Sequence, residues 1–96
     1  MFKKLNALLH QELRLSIMSL LANSESAEFK FLLEQTGASK GNLSVQLNKL
    51  KDAGYLEIKK GYKGNYPHTS CSITKKGGEA FQEYVEAIEQ YLKTKK

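Results

Sequence analysis

Apolar residues in the first quarter of the chain recur every three or four positions, the spacing of one face of an amphipathic helix. The spacing predicts a first helix of about four turns, with apolar positions at Leu5, Leu8, Leu9, Leu13, Ile17, Leu20 and Leu21. The turn-forming run after Asn23 predicts its end. A short second helix is expected to begin after Ser26 and to carry Phe29 on its apolar side, and Gly37 is expected to end it.

A third helix is predicted between Ser39, a favourable N-cap, and about Ala53. Its apolar residues form one narrow stripe, Leu43, Leu47 and Leu50. The rest of its surface is polar and contains Lys40, Asn42, Ser44, Gln46, Asn48, Lys49 and Lys51. Gly54 is expected to end the helix, because glycine adopts left-handed backbone geometry without steric cost.

The period then changes from helical to alternating, which predicts two strands at residues 55–59 and 70–73. Residues 60–68 between them are rich in turn formers and positive charge, so we expect a long mobile loop there. Thr74 is a favourable cap for a last helix, whose apolar face holds Ala80, Phe81, Tyr84, Val85, Ile88, Tyr91 and Leu92. The chain of 96 residues is too short for two cores. These elements therefore predict a single domain, mainly α with a small β-hairpin, of the α+β class.

Positive charge is concentrated in the middle of the sequence. The full chain carries 15 basic and 10 acidic side chains, a net charge of +5. Residues 40–76 hold eight lysines against Asp52 and Glu57, a net charge of +6, whereas residues 1–39 are balanced and residues 77–96 have a net charge of −1. Such a basic stretch is typical of a surface that binds a polyanion, but a solvated lysine-rich face gives the same count. Charge alone leaves both interpretations open.

Several classes of function lack the residues that they need. The single cysteine, Cys71, excludes an internal disulfide framework and a zinc site built from cysteine pairs, and we expect its thiol to be packed within its strand. The sequence has no paired carboxylates near a histidine, no glycine-rich phosphate loop and no serine–histidine–aspartate set, so we expect neither an enzyme nor a cofactor or metal. The apolar runs are too short to span a membrane. We therefore expect a small cytoplasmic domain.

The order of the predicted elements points to a helix-turn-helix. A short helix, a glycine-containing turn and a polar-faced helix make this motif, whose second helix enters the major groove of DNA. The amides of Asn42, Gln46 and Asn48 can pair with adenine, and Ser44 can donate or accept a hydrogen bond. Asparagine and serine form helices less readily than glutamate, lysine or alanine, so ordinary surface positions are the weaker explanation for them.

The sequence GNLSxxLxKLxxAGYL at residues 41–56 resembles the recognition helix and first wing strand of winged-helix transcriptional regulators. The likeness is strongest to the small single-domain group allied to the MarR, ArsR and PadR regulators. PxT at residues 67–69 and ITxxG at residues 73–77 resemble the return strand of the wing and the start of the last helix. The resemblance implies a helix-turn-helix at about residues 27–53, a wing at about 55–73 and an added C-terminal dimerisation helix at about 75–93, within one domain spanning residues 1–96.

The resemblance also implies which residues contact DNA. In the recognition helix they are Ser39, Lys40, Asn42, Ser44, Gln46 and Lys49. On the wing, the resemblance places contacts around residues 63–68, at Lys63, Asn65, Tyr66 and His68. The positive charge of the hairpin adds Lys59 and Lys60 as partners for phosphates. Wings of this family commonly carry an arginine that enters the narrow minor groove. This wing has none, so we expect it to contact mainly phosphates.

Three further side chains and the last helix have competing interpretations. We expect Arg14 to pair with an acid on a neighbouring helix, and Tyr62 and Tyr66 to pack within the hairpin rather than to stack on nucleic acid. The apolar face of the last helix exceeds what one short domain needs, so we expect a homodimer interface built from Leu5, Leu8, Leu9, Phe81, Tyr84, Val85, Ile88, Tyr91 and Leu92. The alternative is intramolecular packing of the last helix on the first.

The sequence thus predicts a sequence-specific regulator of transcription that binds double-stranded DNA, expected to be a dimeric repressor. A twofold dimer would place two recognition helices about 34–36 Å apart, which matches a palindromic operator. The alternative is a winged-helix protein-interaction module without specific DNA binding, which the basic charge of residues 40–76 disfavours. No small-molecule effector can be assigned from the sequence.

Overall fold

Four helices and three strands lie within residues 1–93, the part of the chain that the computed structural model describes. In order they are α1 (Glu12–Ala22), β1 (Ala27–Glu28), α2 (Phe29–Thr36), α3 (Lys40–Asp52), β2 (Leu56–Lys63), β3 (Tyr66–Ile73) and α4 (Lys75–Leu92). The strands form one antiparallel sheet in the order β1-β3-β2. Residues 94–96, which belong to the predicted domain, lie outside the described residues.

The first helix is shorter than predicted. The Asn6 carboxamide oxygen accepts hydrogen bonds from the backbone N–H groups of Leu8 and Leu9 at 2.9 and 3.3 Å, which closes a separate turn. The side chain of Gln11 then caps α1 by accepting from the Arg14 N–H at 2.8 Å. The leucines before Gln11 therefore follow a helical spacing without belonging to α1. The predicted end of the helix near Asn23, its C-cap, is confirmed.

The second helix also begins later than predicted. Ala27 and Glu28 form the short strand β1, which pairs with Cys71 and Ser70 of β3, and α2 begins only at Phe29. A two-residue strand is too short for a periodic signal, so the sequence pattern did not show it. The end of α2 is as predicted, because Gly37 adopts φ +68° and its N–H bonds to the Leu33 carbonyl.

The third helix forms as predicted. The Ser39 hydroxyl accepts from the Asn42 N–H at 3.2 Å and caps its start. Leu43, Leu47 and Leu50 are buried against the rest of the domain. At the far end, Gly54 has φ +82°, which an L-residue with a side chain rarely adopts. The cap at Ser39 and the glycine at position 54 thus determine where α3 begins and ends, and the three leucines determine which face it buries.

The hairpin differs most from the prediction. The residues expected to form a long loop continue the antiparallel ladder out to Lys63 and Tyr66, and only Gly64 and Asn65 form the turn. Gly64 has φ +65°, as the first position of a tight type II′ hairpin turn requires. The outer half of the hairpin extends past the core and carries polar residues on both faces. The alternation that identifies a half-buried strand is therefore absent there.

A cluster of buried side chains joins all four helices to the sheet. Its fully enclosed members include Leu9, Ile17, Met18, Leu21, Leu32, Leu43, Leu50 and Leu56. The start of α4 is tied to the end of α3 through Thr74, whose hydroxyl donates to the Gly54 carbonyl at 2.6 Å and accepts from the Gly77 N–H at 2.9 Å. The hairpin therefore leaves the core in a fixed direction relative to α3. No helix within residues 1–93 is long and apolar enough to cross a membrane.

Cys71 is packed inside the sheet, as predicted, with a side chain that is only 1% exposed. Burial raises the pKa of its thiol from 9.0 to about 11. Because the folded pKa exceeds the unfolded one, this group stabilises the fold fully below pH 9, and the contribution is lost as the pH rises from 9 towards 11.

We therefore expect a thiol reagent to label native Cys71 at pH 8 at least about 100-fold more slowly than the urea-unfolded chain, because the reagent attacks the exposed thiolate. The Cys71→Ala variant should lose less stability than the native sequence between pH 9 and pH 11. Equal labelling rates in the native and unfolded states would contradict this packing.

Candidate nucleic-acid interface

The surface of α3 that faces away from the core forms the centre of the candidate interface. Its inward side buries Leu43, Gln46, Leu47 and Leu50. Its exposed residues are Lys40, Gly41, Asn42, Ser44, Val45, Asn48, Lys49, Lys51 and Asp52. Lysines thus lie at both ends of a polar helix surface whose middle carries small, amide and apolar side chains.

The prediction that Gln46 reads bases needs correction. Its side chain is only 9% exposed, and its carboxamide oxygen accepts from the Arg14 guanidinium at 2.5 Å. Its amide nitrogen donates to the Asn42 side chain at 3.1 Å. Arg14 also donates to the Leu8 carbonyl at 2.6 Å, so it bonds an amide and a carbonyl rather than the acid that we expected. Gln46 therefore joins α3 to α1 instead of facing solvent.

We expect the Gln46→Ala variant to be less stable than the native protein by about 1–3 kcal/mol, because the half-buried guanidinium of Arg14 loses the acceptor of its Nη1 group. Urea unfolding at pH 7 measures the difference. The control is Gln35→Ala, which removes the same side chain from an exposed position on α2. Equal stability of the two variants would show that the bond between α1 and α3 contributes nothing.

Val45 is an exposed residue of the candidate interface that the sequence pattern did not single out. It is 51% exposed and lies between the exposed side chains of Ser44 and Asn48 along the helix. A signal was present in the sequence, because Val45 is apolar but lies off the stripe of Leu43, Leu47 and Leu50. Asn48, one of the amides noted in the sequence, is exposed.

The hairpin flanks α3 and places one of its lysines beside it. In the antiparallel register, Lys60 pairs with Thr69 and lies on the same sheet face as Leu56 and Ile58. Lys60 and Thr69 line a groove together with Ser44 and Asn48 of α3. The groove therefore has side chains of α3 on one wall and a lysine of the hairpin on the other.

The opposite face of the hairpin is partly neutralised by an acid. Lys63 and His68 lie 3.5 and 3.8 Å from the Glu28 carboxylate of β1. Lys59 pairs with Ser70 on that same sheet face. Lys63 is exposed and its ion pair is therefore weak, so the lysine can exchange Glu28 for a phosphate.

The two tyrosines of the outer hairpin do not pack within it, contrary to the prediction. Tyr62 and Tyr66 are 79% and 78% exposed. Tyr62 pairs with Pro67 and Tyr66 with Lys63, so the rings lie on opposite faces of the outer hairpin. Beyond the edge of the core, neither ring has a neighbour to bury it, and both are accessible to a partner. Asn65, in the turn between the strands, is exposed as well.

The residues expected at a dimer interface divide into two groups. Leu9 and Tyr84 are buried within the protomer, and Tyr84 bonds to His10 through its hydroxyl at 2.8 Å. These two residues are therefore removed from the expected interface, because the intramolecular packing of α4 already encloses them. Leu5 and Leu8 are partly buried in the turn before α1. The accessible apolar residues of α4 are Phe81, Val85 and Ile88, which are partly exposed, and Tyr91 and Leu92, which are exposed.

Several of those α4 residues line an apolar groove with α1. Leu15 and Ser19 of α1 form one wall, and Phe81, Val85, Ile88 and Leu92 lie along the other side. Near the end of α4, the Phe2 ring stacks on Tyr91 with centroids 4.3 Å apart. Among residues 1–93, no three histidine, cysteine, aspartate or glutamate side chains come together as metal ligands.

Comparison with known proteins identifies similar chains. A family model for the winged helix DNA-binding domain matches residues 13–92. An uncharacterized protein of Methanocaldococcus jannaschii is 38% identical over 80 residues, which cover 83% of this chain and 87% of that protein. A transcriptional regulator homologue from Pyrococcus horikoshii OT3 superposes with a TM-score of 0.82 at 24% identity, over 88% of this chain and 84% of that one. PadR of Bacillus subtilis, solved in complex with operator DNA, gives a TM-score of 0.69 at 15% identity, over 78% of this chain and 48% of that one.

Proposed function

The chain belongs to the winged helix DNA-binding domain family, and from that premise we propose that it is a sequence-specific, double-stranded DNA-binding regulator of transcription that acts as a dimeric repressor. The observation that carries the proposal is the exposed polar face of α3 beside a lysine-bearing wing. The membership confirms the winged-helix fold class expected from the sequence. In the proposed complex, α3 is the recognition helix and the β2–β3 hairpin is the wing.

The proposed contacts divide according to their chemistry. Lysines at the two ends of α3 and along the wing neutralise phosphates and set the orientation of the protein on the duplex; they are Lys40, Lys49, Lys51, Lys59, Lys60 and Lys63. Further contacts to the sugar–phosphate backbone of the DNA come from Ser39, Asn65, Tyr66 and His68. Base edges in the major groove are read by Asn42, Ser44 and Asn48. Gln46 is left out, since its side chain is buried against Arg14.

A second copy of the chain is proposed to cover the apolar residues of α4. Phe81, Val85 and Ile88 are only partly covered by the protomer itself, and Leu92 is exposed. A twofold axis at this helix would present two copies of α3 to one face of a duplex. Repression would follow if the bound dimer blocks access to a promoter.

We expect the Val85→Glu variant to shift the protein from dimer to monomer while its circular dichroism stays native, because a charge in an apolar interface is costly to desolvate. Light scattering coupled to size exclusion measures the mass. Gln82→Glu adds the same charge at an exposed position on the same helix and should remain dimeric. A monomeric native protein at micromolar concentration would overturn the proposed dimer.

Selection of binding sites from a random duplex pool tests the proposed specificity. We expect an enriched sequence with two inverted half-sites whose centres lie about one helical turn apart. Transcription from a promoter that contains this sequence should fall as the protein is added. A pool that shows no enrichment would contradict sequence-specific binding. The second candidate, a protein-interaction module, would then be favoured, and the exposed rings of Tyr62 and Tyr66 would be its first candidate contacts.

A further inference from the structure

We infer that the outward stripe of α3 formed by Gly41, Ser44, Val45 and Asn48 reads A·T base pairs in the major groove, with the methyl groups of Val45 against the methyl group of a thymine. This inference rests on the proposed function and specifies its ligand more closely. It assigns a role to an apolar side chain that the fold does not use.

Val45 is the exception among the large apolar residues of α3, a helix that the structure describes in full. Leu43, Leu47 and Leu50 are buried, whereas Val45 is 51% exposed. Helix propensity does not explain its presence, because valine is a poorer helix former than alanine, lysine or glutamate. An exposed valine thus contributes little to the core or to the helix, and its methyl groups are available for a contact outside the protomer.

Helical geometry places Val45 at the centre of one stripe. Gly41 lies four residues before it and Asn48 three residues after it, so the three positions share one face, with Ser44 beside them. The stripe lies opposite the buried leucines and borders the groove formed with the wing through Ser44 and Asn48. This is the part of α3 that meets the floor of a major groove when the wing lies along the backbone.

Gly41 gives a second, independent indication of close approach. A Cβ atom added at this position would meet no atom of the protein within 4 Å, so packing does not require a glycine there. Its backbone is not in the left-handed region either. Glycine is nevertheless a poorer helix former than alanine. A missing side chain on the outward stripe leaves room for the DNA to approach the helix backbone.

The chemistry of this stripe matches A·T pairs. The thymine methyl is the apolar group that a base pair presents in the major groove, and it contacts apolar side chains. Adenine presents N7 and N6, which the amide of Asn48 matches in a bidentate pair. Arginine, the commonest reader of guanine together with lysine, is absent from positions 41–48. The lysines of α3, at positions 40, 49 and 51, flank this segment.

The test combines thymine-to-uracil replacement with the Val45→Ser variant. Uracil lacks only the methyl group, so duplexes carrying it at single positions of the selected site retain every hydrogen bond. We expect the native protein to bind at least one such duplex about fourfold more weakly, the affinity equivalent of one buried methyl group. Val45→Ser should bind the thymine and uracil duplexes within 1.5-fold of each other, a threshold of about 0.2 kcal/mol. Ala22→Ser, which introduces a serine at an exposed position of α1, should retain the native fourfold preference.

Two outcomes overturn the inference while leaving the proposed function intact: a selected site in which no uracil replacement alters affinity, and an equal loss on uracil replacement for the native protein and Val45→Ser. Absence of any enriched duplex would instead overturn the proposed function itself. Circular dichroism of each variant serves as the control that its helices remain folded.

Discussion

Replacement of Gly77 by alanine should destabilise the protein more than any other single methyl addition at its glycines. A Cβ atom at residue 77 would lie 2.0 Å from the Tyr55 carbonyl oxygen and 2.8 Å from its carbonyl carbon. Both are backbone atoms, so no side-chain rotation relieves the overlap. The same carbonyl accepts from the Thr74 N–H at 3.0 Å, and the Thr74 hydroxyl donates to the adjacent Gly54 carbonyl at 2.6 Å. Separating these segments would therefore break the two bonds that hold the start of α4 to residues 54 and 55, just before β2.

We expect Gly77→Ala to lower the free energy of unfolding by about 3–5 kcal/mol, from overpacking and two lost hydrogen bonds. Urea unfolding followed by circular dichroism gives the value. The adjacent Gly78 provides the control, because an added Cβ there meets nothing within 4 Å. Gly78→Ala should raise stability by up to about 1 kcal/mol through helix propensity. Equal stability of the two variants would show that α4 does not approach Tyr55 this closely.

Asn48→Asp should weaken binding to the selected duplex more than any other substitution of similar size on α3. The replacement keeps the shape of the side chain but removes its donor and adds a negative charge close to the DNA. A lost bidentate pair with a base amounts to about 1–3 kcal/mol, which corresponds to between roughly 5- and 150-fold in affinity. Repulsion from the phosphates adds to this loss.

The matched control is Gln82→Glu, which makes the same amide-to-carboxylate change at an exposed position on α4. Both variants have a net charge one unit lower than the native chain, so a difference between them reports position rather than total charge. We expect Gln82→Glu to bind within about threefold of the native protein, as remote charges are largely screened at physiological salt. A similar affinity for both variants would mean that α3 does not lie in the groove.

Local signals in the sequence were sufficient to predict α3, the central element of the candidate interface. Ser39 caps it, Gly54 ends it with positive φ, and its three leucines occupy one face. Each signal depends on residues within a turn or two of the helix, so the prediction did not need to know the fold. The fold class followed from the order of such elements, together with the motif at residues 41–56.

The parts that could not be predicted depend on contacts between distant segments. Gln46 follows the polar pattern of α3, but its side chain is buried because it accepts a hydrogen bond from Arg14 on α1. The sequence pattern places Leu9 and Tyr84 among the interface residues, but both are buried inside the folded protomer. The outer hairpin pairs strand with strand beyond the core, where burial no longer imposes alternation. Gln46 lies 32 residues from Arg14 in the sequence, and Tyr84 lies 74 residues from its partner His10. The hairpin pairing is local, but the outer hairpin has no apolar alternation that could indicate it.

Binding to duplex DNA at two salt concentrations is the most direct test of whether this winged helix acts on nucleic acid. The measurement is a fluorescence-anisotropy titration of the protein onto a random duplex at about 50 and 200 mM salt. We expect affinity to fall steeply between them, because lysines of α3 and the wing displace counterions from several phosphates, with a logarithmic slope of about −3 or steeper. No binding at the lower concentration would contradict the proposed function.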